Sequence, residues 1–218
     1  GRRRGVAAAR RVMSAYDGLA ATWESSSTLV QVLLVLLAAA IGYCVGMLNP
    51  ATGIARLRGT DLSAVGSGNP GATNAGRAFG WKIGVVVGIL DILKGYVVVI
   101  GFEAFGLHVP ALVAGLAAVL GHVTSPLLRG KGGKGVATSF GAILGVQPLW
   151  AIPVLVVFGI AWAITRRIGL ASVAGCLMLV PAALWFDDPA SDIAFAALLT
   201  ILVVVRHRKN LQAAVTST

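Results

Sequence analysis

Two glycine-rich segments hold most of the residues in this sequence that could do chemistry. The first reads GSGNPGATNAGR, residues 66–77, and the second reads RGKGGKGVATSFG, residues 129–141. Each combines glycine with small hydroxyl side chains and cations. Successive backbone N–H groups in glycine-rich turns form anion-binding concavities, and a helix N-terminus adds its dipole. The two segments therefore indicate a site that binds phosphate groups.

The cations of these segments suit that chemistry. A guanidinium such as that of Arg77 can form paired hydrogen bonds to a phosphate, whereas Lys131 and Lys134 act more as point charges. Either segment alone could equally be a tight turn or a helix-packing contact, with cations that only mark one side of a membrane. Two such segments, each with hydroxyl groups, favour anion binding.

The spacing of these residues excludes several common sites. A Walker A loop requires G-x-x-x-x-G-K-[ST], but Gly135 follows Lys134 here. The acyltransferases that use acyl-coenzyme A carry Asp five residues after a catalytic His, which is true of none of His108, His122 and His207. The cluster of aspartates that a metal-dependent phosphotransferase of the CDP-alcohol type needs is also missing. We expect neither a metal nor a cofactor.

The composition places these segments in a membrane protein. Hydrophobic residues make up 57% of the chain and charged residues 12%, and the mean hydropathy is +0.86. A net charge of +10 could suggest nucleic acid, but the basic residues fall in short clusters between apolar runs. That distribution is typical of membrane topology. We therefore expect the lipid bilayer, and no nucleic acid, as a partner.

The apolar runs predict an all-α bundle with seven transmembrane helices. A helix needs about 20 apolar residues to cross the bilayer core. The runs cover residues 29–54, 83–102, 109–128, 136–150, 152–165, 170–186 and 190–205. Asn49 and Pro50 should break the first run, because proline interrupts a helix. The later runs are short, which is easier to understand if one membrane face is indented.

The charges of the connecting loops predict the orientation of this bundle. Basic residues gather in alternate loops, which identifies those loops as cytoplasmic. They are Arg56, Arg58, Arg77, Lys82, Arg129, Lys131, Lys134, Arg166, Arg167, Arg206, Arg208 and Lys209. The opposite loops contain Glu103, Asp187, Asp188 and Asp192 and no lysine or arginine. The C-terminus is then cytoplasmic and the N-terminus outside, although the five arginines within residues 1–11 break the rule.

The same reading divides the chain into three parts. They are a basic and polar tail over residues 1–28, a membrane domain over residues 29–210, and a short tail over residues 211–218.

Within the second apolar run, Asp91 and Lys94 lie one helical turn apart. Ionisable groups at membrane depth are functional candidates, but a pair at this spacing can also satisfy itself. We favour a structural ion pair over direct chemistry.

The order of motifs resembles the bacterial acyl-phosphate:glycerol-3-phosphate acyltransferases. The matches are GSGNPGATNAGR, DILKG at residues 91–95, GH at 121–122, KGGKGVAT at 131–138, LAS at 170–172 and HRKN at 207–210. They cover about residues 42–210. This chain departs from the family's usual pattern at Ser63, at Gly169 and in its tail. The resemblance implies a bacterial cell-membrane enzyme of seven spans, with an external N-terminus and a cytoplasmic active site.

The resemblance also implies a reaction and a set of residues for it. A fatty acyl group passes from acyl phosphate to the 1-hydroxyl of glycerol 3-phosphate, giving lysophosphatidic acid and phosphate. The implied catalytic residues are Ser67, Arg77, Lys134, Ser172 and His207. The implied substrate-binding residues are Gly66, Gly68, Asn69, Gly71, Thr73, Asn74, Lys131, Gly132, Gly133, Gly135, Thr138 and Asn210. The amides of Gly132, Gly133 and Gly135 are expected to bind the acyl phosphate or its oxyanion.

The sequence leaves two questions open. His207 could take the hydroxyl proton, but a leaving phosphate can accept it too, and we favour this substrate-assisted route. His122 reads more readily as a satisfied helix histidine, and an acyl-enzyme on Ser67 is less favoured because no base lies near it. The alternative function is a transporter of phosphate or an organic phosphate, although all polar motifs fall on one face.

Overall fold

The computed structural model describes residue 21 and residues 23–216 of the chain, and all regular secondary structure in them is helical. The helices are α1 Thr28–Met47, α2 Pro50–Leu57, α3 Ala72–Phe79, α4 Trp81–Glu103, α5 His108–Thr124, α6 Val136–Val146, α7 Ala151–Thr165, α8 Ile168–Leu177, α9 Leu179–Trp185, α10 Ala190–Arg206 and α11 Arg208–Val215. Short 3₁₀ turns occupy Leu62–Ala64, Pro126–Leu128 and Pro148–Trp150. The N-terminal arginines and most of the predicted tail lie outside the described residues.

Five helical stretches in the described part are long and apolar enough to cross a bilayer, and the bent pair of α10 and α11 makes a sixth. The predicted fourth run differs from this set. Its helix, α6, has 11 residues, and residues 148–150 belong to the stretch that continues into α7. At 1.5 Å per residue α6 is about 16 Å long, roughly half the hydrocarbon thickness. At the other end, α11 continues past the boundary predicted at residue 210.

The first apolar run breaks where the sequence predicts it. α1 ends at Met47, and α2 begins at Pro50. In a continuous helix the Thr52 N–H would donate to the Leu48 carbonyl. Here it donates to Oδ1 of Asn49 at 2.8 Å, so Asn49 caps α2 and the Leu48 carbonyl needs another donor. The break therefore provides an acceptor inside the bundle.

Glycine brings two pairs of helices into close contact. A Cβ on Gly42 or Gly46 of α1 would collide with the carbonyl oxygen of Ala114 or Ala118 of α5. In the same way, glycines at α4 and α6 leave no room for a side chain between those helices. Such small-residue contacts are typical of membrane helices, whose backbones approach closely where no side chain intervenes. The contact between α4 and α6 fixes the depth at which the short α6 lies in the bundle.

The acidic loops gather at the helix ends opposite the glycine-rich segments. His108, at the start of α5, contacts Glu103 at 2.6 Å through Nδ1 and Asp192 at 2.8 Å through Nε2. Nearby in sequence to Asp192, the Asp188 carboxylate accepts a hydrogen bond of 2.8 Å from Nε1 of Trp150. α4 separates Glu103 from Trp81 by about 35 Å at 1.5 Å per residue. The loops with basic residues and the loops with acidic residues thus occupy opposite ends of the bundle.

Candidate active site

A cavity of about 770 Å³ opens at the basic end of the bundle. It brings together both glycine-rich segments, the start of α8 and the junction of α10 with α11. Eleven predicted site residues line it: Ser67, Asn69, Gly71, Thr73, Asn74, Arg77, Lys134, Gly135, Ser172, His207 and Asn210. Six predicted residues do not: Gly66, Gly68, Lys131, Gly132, Gly133 and Thr138. The cavity therefore unites motifs that are far apart in the sequence.

The first glycine loop, residues 65–71, is held by one buried side chain. Oδ1 of Asn74 accepts from the Ser67 N–H at 3.0 Å, and its Nδ2 donates to the Val65 and Leu62 carbonyls. Gly66 has a positive φ of 55°, and a Cβ there would approach Oδ1 of Asn74 to 2.5 Å. The amide of Asn74 is thus already bonded to its own loop. Gly66 does not line the cavity, but its positive φ lets the loop turn beside Asn74.

The second glycine loop, residues 129–135, faces the end of α5 with part of its backbone. The Gly132 N–H donates to the Val123 carbonyl and the Gly133 N–H to the His122 carbonyl, both at 3.1 Å. Both donors already have partners within the protein, so binding of substrate by these two amides stays a prediction. Nη2 of Arg206 donates to the carbonyls of the same two glycines at 3.1 and 3.2 Å. Of the three glycines predicted to offer their amides, Gly135 lines the cavity, and Gly132 and Gly133 do not.

Two further predicted ligands lie away from the cavity for simple geometric reasons. Lys131 is exposed on the outer side of the second glycine loop. Thr138 is fully buried, and its backbone contacts Gly95 of α4. Successive residues of a helix face directions about 100° apart, so Ser139 lines the cavity where Thr138 does not. The sequence offered no signal that distinguishes these neighbours.

Three helices begin at the cavity without a side-chain cap. They are α3 after Gly71, α6 after Gly135 and α8 after Arg167. The first N–H groups of a helix have no partner within it, and they carry the positive end of its dipole. None of the three helices has an acidic residue in its first turn. Their convergence at one cavity gives that cavity the positive ends of three helix dipoles.

Cationic side chains reinforce these helix ends. Arg77, Lys134, Arg166 and Arg167 line the cavity, and Nζ of Lys134 donates to Oδ1 of Asn210 at 2.6 Å. Partial burial, followed by the charges of Arg77 and Arg206, lowers the pKa of the Lys134 ammonium below that of an ordinary lysine. A bound anion would favour its charged form. The electrostatics of the cavity therefore select negatively charged ligands.

His207 and Ser172 complete the polar end. Nδ1 of His207 lies 2.8 Å from the Val203 carbonyl, which can only accept, so Nδ1 carries the hydrogen. In the neutral ring Nε2 then has a free lone pair. Oγ of Ser172 donates to the Ile168 carbonyl at 2.8 Å, which leaves its lone pairs to accept. The two side chains can accept hydrogen bonds in a cavity otherwise rich in donors.

The other end of the cavity is apolar. Ile143, Val154, Phe158, Cys176 and Leu179 line it, from four successive helices. Leu155 and Trp162 lie at its edge and are 52% and 45% exposed on the outer surface of α7. The apolar arm thus runs from the anion site toward the surface expected to face lipid. Its shape and chemistry fit an alkyl chain attached to a phosphate.

Several lining residues were not among the predicted ligands. Arg166 and Arg167 were recognised only as loop charges, and they reach the cavity because α8 begins there. Asp91 and His122 also line it, with Asp91 paired to Lys94 at 2.8 Å as predicted. Gly169 lines the cavity too, and a Cβ there would approach Nδ2 of Asn210 to 2.7 Å. The glycine at this position leaves room for Asn210.

Comparison with known proteins agrees with these features. The sequence pattern of the glycerol-3-phosphate acyltransferase family matches residues 36–217. Glycerol-3-phosphate acyltransferase 1 of Deinococcus radiodurans is 38% identical over 181 residues, which cover 83% of this chain and 91% of that protein. The glycerol-3-phosphate acyltransferase of Geobacter sulfurreducens is 39% identical over 180 residues, which cover 81% of this chain and 92% of that protein.

Solved structures support the same relationship. The fold is similar to crystal structures of PlsY (YgiH), an integral membrane glycerol 3-phosphate acyltransferase. Its glycerol 3-phosphate form has a TM-score of 0.80 at 34% identity, over 84% of this chain and 92% of that one. The lysophosphatidic acid form gives a TM-score of 0.78 at the same identity and coverage. Sequence and fold together show that this chain belongs to the glycerol-3-phosphate acyltransferase family.

Proposed function

We propose that this chain transfers a fatty acyl group from acyl phosphate to the 1-hydroxyl of glycerol 3-phosphate, giving lysophosphatidic acid and inorganic phosphate. One observation carries the proposal: three uncapped helix N-termini and several cations meet an apolar arm in one cavity. Both substrates carry a phosphate, and one also carries an alkyl chain. A single cavity with these two ends suits that pair of ligands and the first acylation of phospholipid synthesis.

The polar end divides naturally between the two phosphates. Arg77 and the start of α3 suit the phosphate of glycerol 3-phosphate. Ser67, Asn69 and Thr73 surround that position. Lys134 and the N–H groups after Gly135 suit the phosphate of the acyl phosphate, nearer to the apolar arm. Ser172, His207 and Asn210 complete the pocket for glycerol 3-phosphate. This assignment places the acyl carbonyl beside the α6 N-terminus, where fixed dipoles stabilise an oxyanion.

The reaction needs little from the protein beyond position and charge. The 1-hydroxyl oxygen forms a bond to the acyl carbon, and the bond from that carbon to the phosphate oxygen breaks. In the route we favour, the hydroxyl proton passes to an oxygen of the leaving phosphate. Cations around the cavity stabilise that phosphate as it leaves. The free lone pair on Nε2 of His207 is the alternative proton acceptor.

We also propose seven crossings with an external N-terminus, a cytoplasmic C-terminus and the cavity open to the cytoplasm of a bacterial cell membrane. The segregation of basic and acidic loops supports this orientation. α6 is too short to cross the whole bilayer core. It can complete a crossing only if the second glycine loop, which precedes it, lies below the membrane surface. Residues 29–210 then act as one membrane domain.

The central experiment uses purified protein with palmitoyl phosphate and glycerol 3-phosphate. Inorganic phosphate and lysophosphatidic acid should appear in equal amounts, whereas a phosphate transporter would release neither.

Arg77→Ala should raise KM for glycerol 3-phosphate by about 10- to 100-fold, as expected for loss of hydrogen bonds to a charged group. Arg58→Ala is the control, because Arg58 lies over the Phe79 ring outside the cavity. Equal effects of both substitutions would contradict the phosphate role of Arg77.

A second experiment distinguishes the two proton acceptors. If the leaving phosphate takes the proton, His207→Gln should keep a substantial part of kcat, because glutamine can still hydrogen-bond to glycerol 3-phosphate. If His207 is the base, the variant should bind both substrates normally and turn over about 100-fold more slowly or worse. Single-turnover rates with separately measured binding of glycerol 3-phosphate provide the readout. Normal binding without turnover would reject the substrate-assisted route.

The apolar arm predicts the effect of a bulky side chain at Cys176. Cys176→Phe should shorten the arm and lower kcat/KM for palmitoyl phosphate about tenfold more than for octanoyl phosphate. Cys44→Phe is a matched control, since Cys44 is exposed on α1 and does not line the cavity. Competition between the two donors measures the ratio directly. An unchanged ratio in the Cys176 variant would place the acyl chain elsewhere.

The orientation can be tested by labelling two exposed positions. In a variant without native cysteines, Phe105→Cys should react with a membrane-impermeant maleimide in intact cells. Lys209→Cys, in α11 at the basic end, should react only in inverted vesicles. The reverse pattern would invert the topology.

A further inference from the structure

Three sequence features stay outside the proposed reaction and meet at one point of the bundle. They are the break at Asn49 and Pro50, the DILK segment that contains Asp91 and Lys94, and the His122 side chain. Nζ of Lys94 contacts Oδ1 of Asp91 at 2.8 Å, Nδ1 of His122 at 2.7 Å and the Leu48 carbonyl at 2.8 Å. The contacts with His122 and with the Leu48 carbonyl are hydrogen bonds, and the contact with Asp91 is an ion pair.

The Leu48 carbonyl is available only because the first apolar run is broken. The Thr52 N–H that would bond to it in a continuous helix donates to Asn49 instead. Lys94 supplies the missing donor from α4. Lys94 and Asp91 are 7% and 2% exposed, and their ion pair offsets part of the cost of burying both charges. The break and the buried lysine therefore depend on each other.

Each end of this arrangement reaches one glycine loop. On one side, Nδ2 of Asn49, next to Leu48, donates to the Pro70 carbonyl in the first glycine loop at 2.9 Å. On the other, the carbonyl of His122 accepts from the Gly133 N–H in the second glycine loop at 3.1 Å. The His122 ring also lies against Gly133, where a Cβ would collide with Nε2. Contacts thus run from Pro70 to Gly133 through Lys94.

We propose that Lys94 is a positioning residue that couples the two glycine loops through the break between α1 and α2. This inference rests on the proposed function, in which the loops hold the two substrate phosphates. Reaction requires the hydroxyl and the acyl carbon to approach within about 3–3.5 Å. Two loops on separate helices keep that spacing only if something rigid joins them. The Lys94 contacts supply the join beneath the cavity, whose wall includes Asp91 and His122.

The kinetic test removes the charge at Lys94 without leaving a buried carboxylate unpaired. The double variant Lys94→Met, Asp91→Asn should raise KM for both substrates and lower kcat by about 100-fold, as a displacement of about 1 Å would. Tyr43→Phe is the matched control, since it removes a 3.1 Å hydrogen bond to Thr124 between α1 and α5 outside these contacts. A purely structural role would lower the melting temperature of the double variant and leave kcat of the folded protein unchanged.

A second variant tests the coupling without depending on turnover. Asn49→Ala removes only the contact with Pro70 and the cap of α2. Hydrogen exchange should nevertheless rise in residues 129–135 as well as in residues 65–71, whereas Tyr43→Phe should change neither loop. A rise confined to residues 65–71 would overturn the coupling, whether or not the wild type is active. Inactive wild-type protein would instead overturn the proposed function, so the two failures are distinct.

Discussion

The helix starts of α3, α6 and α8, which meet at one cavity without side-chain caps, are the constraint on which the rest of the structure depends. In a membrane protein, an unpaired backbone donor away from water is unfavourable by several kcal/mol, so helices normally begin in the polar region or with a side-chain cap. Here three of them begin at one cavity without caps. Such an arrangement is stable where water or an anion satisfies the donors. In the function proposed above, the same donors bind the substrate phosphates.

The packing of the bundle follows from the need to bring those helix starts together. α6 is too short to reach both ends alone, so its start lies within the bundle, and glycines hold it there. A Cβ on Gly95 of α4 would collide with the Thr138 carbonyl, and one on Gly141 of α6 with the Ile92 carbonyl. Larger residues at this crossing would push the second glycine loop away from the first. The glycines of α4 and α6 thus set the geometry of a site that they do not touch.

Much of the fold and of the cavity is predictable from sequence because the signals are local. Hydropathy identifies the helical membrane class, Asn49 and Pro50 mark the break, and the spacing of Asp91 and Lys94 predicts their ion pair. The order of the motifs along the chain identifies most of the polar side chains that line the cavity. Each of these signals lies within a few residues of the feature that it predicts.

The contacts that the sequence does not reveal concern directions that only the tertiary structure determines. Gly132 and Gly133 resemble a phosphate-binding turn, but the end of α5 presents two free carbonyls that take their amides. Asn74 lines the cavity, and its amide also holds its own loop. Arg206, which reads as only a topological charge, clamps the second glycine loop from α10. In each case the partner is distant in sequence, so composition and spacing carry no information about it.

The junction between the two ends of the cavity explains why this chemistry suits a membrane. The cations and helix dipoles lie at the basic end, while Ile143, Phe158 and Leu179 continue from them along the apolar arm. In the function proposed above, a donor with a phosphate and a long alkyl chain has its reactive carbonyl at the border between these parts. Anchoring each part in its matching surroundings fixes that carbonyl without any direct contact to it. Binding energy from both ends of the substrate is then available to position the reacting atoms, as proximity catalysis requires.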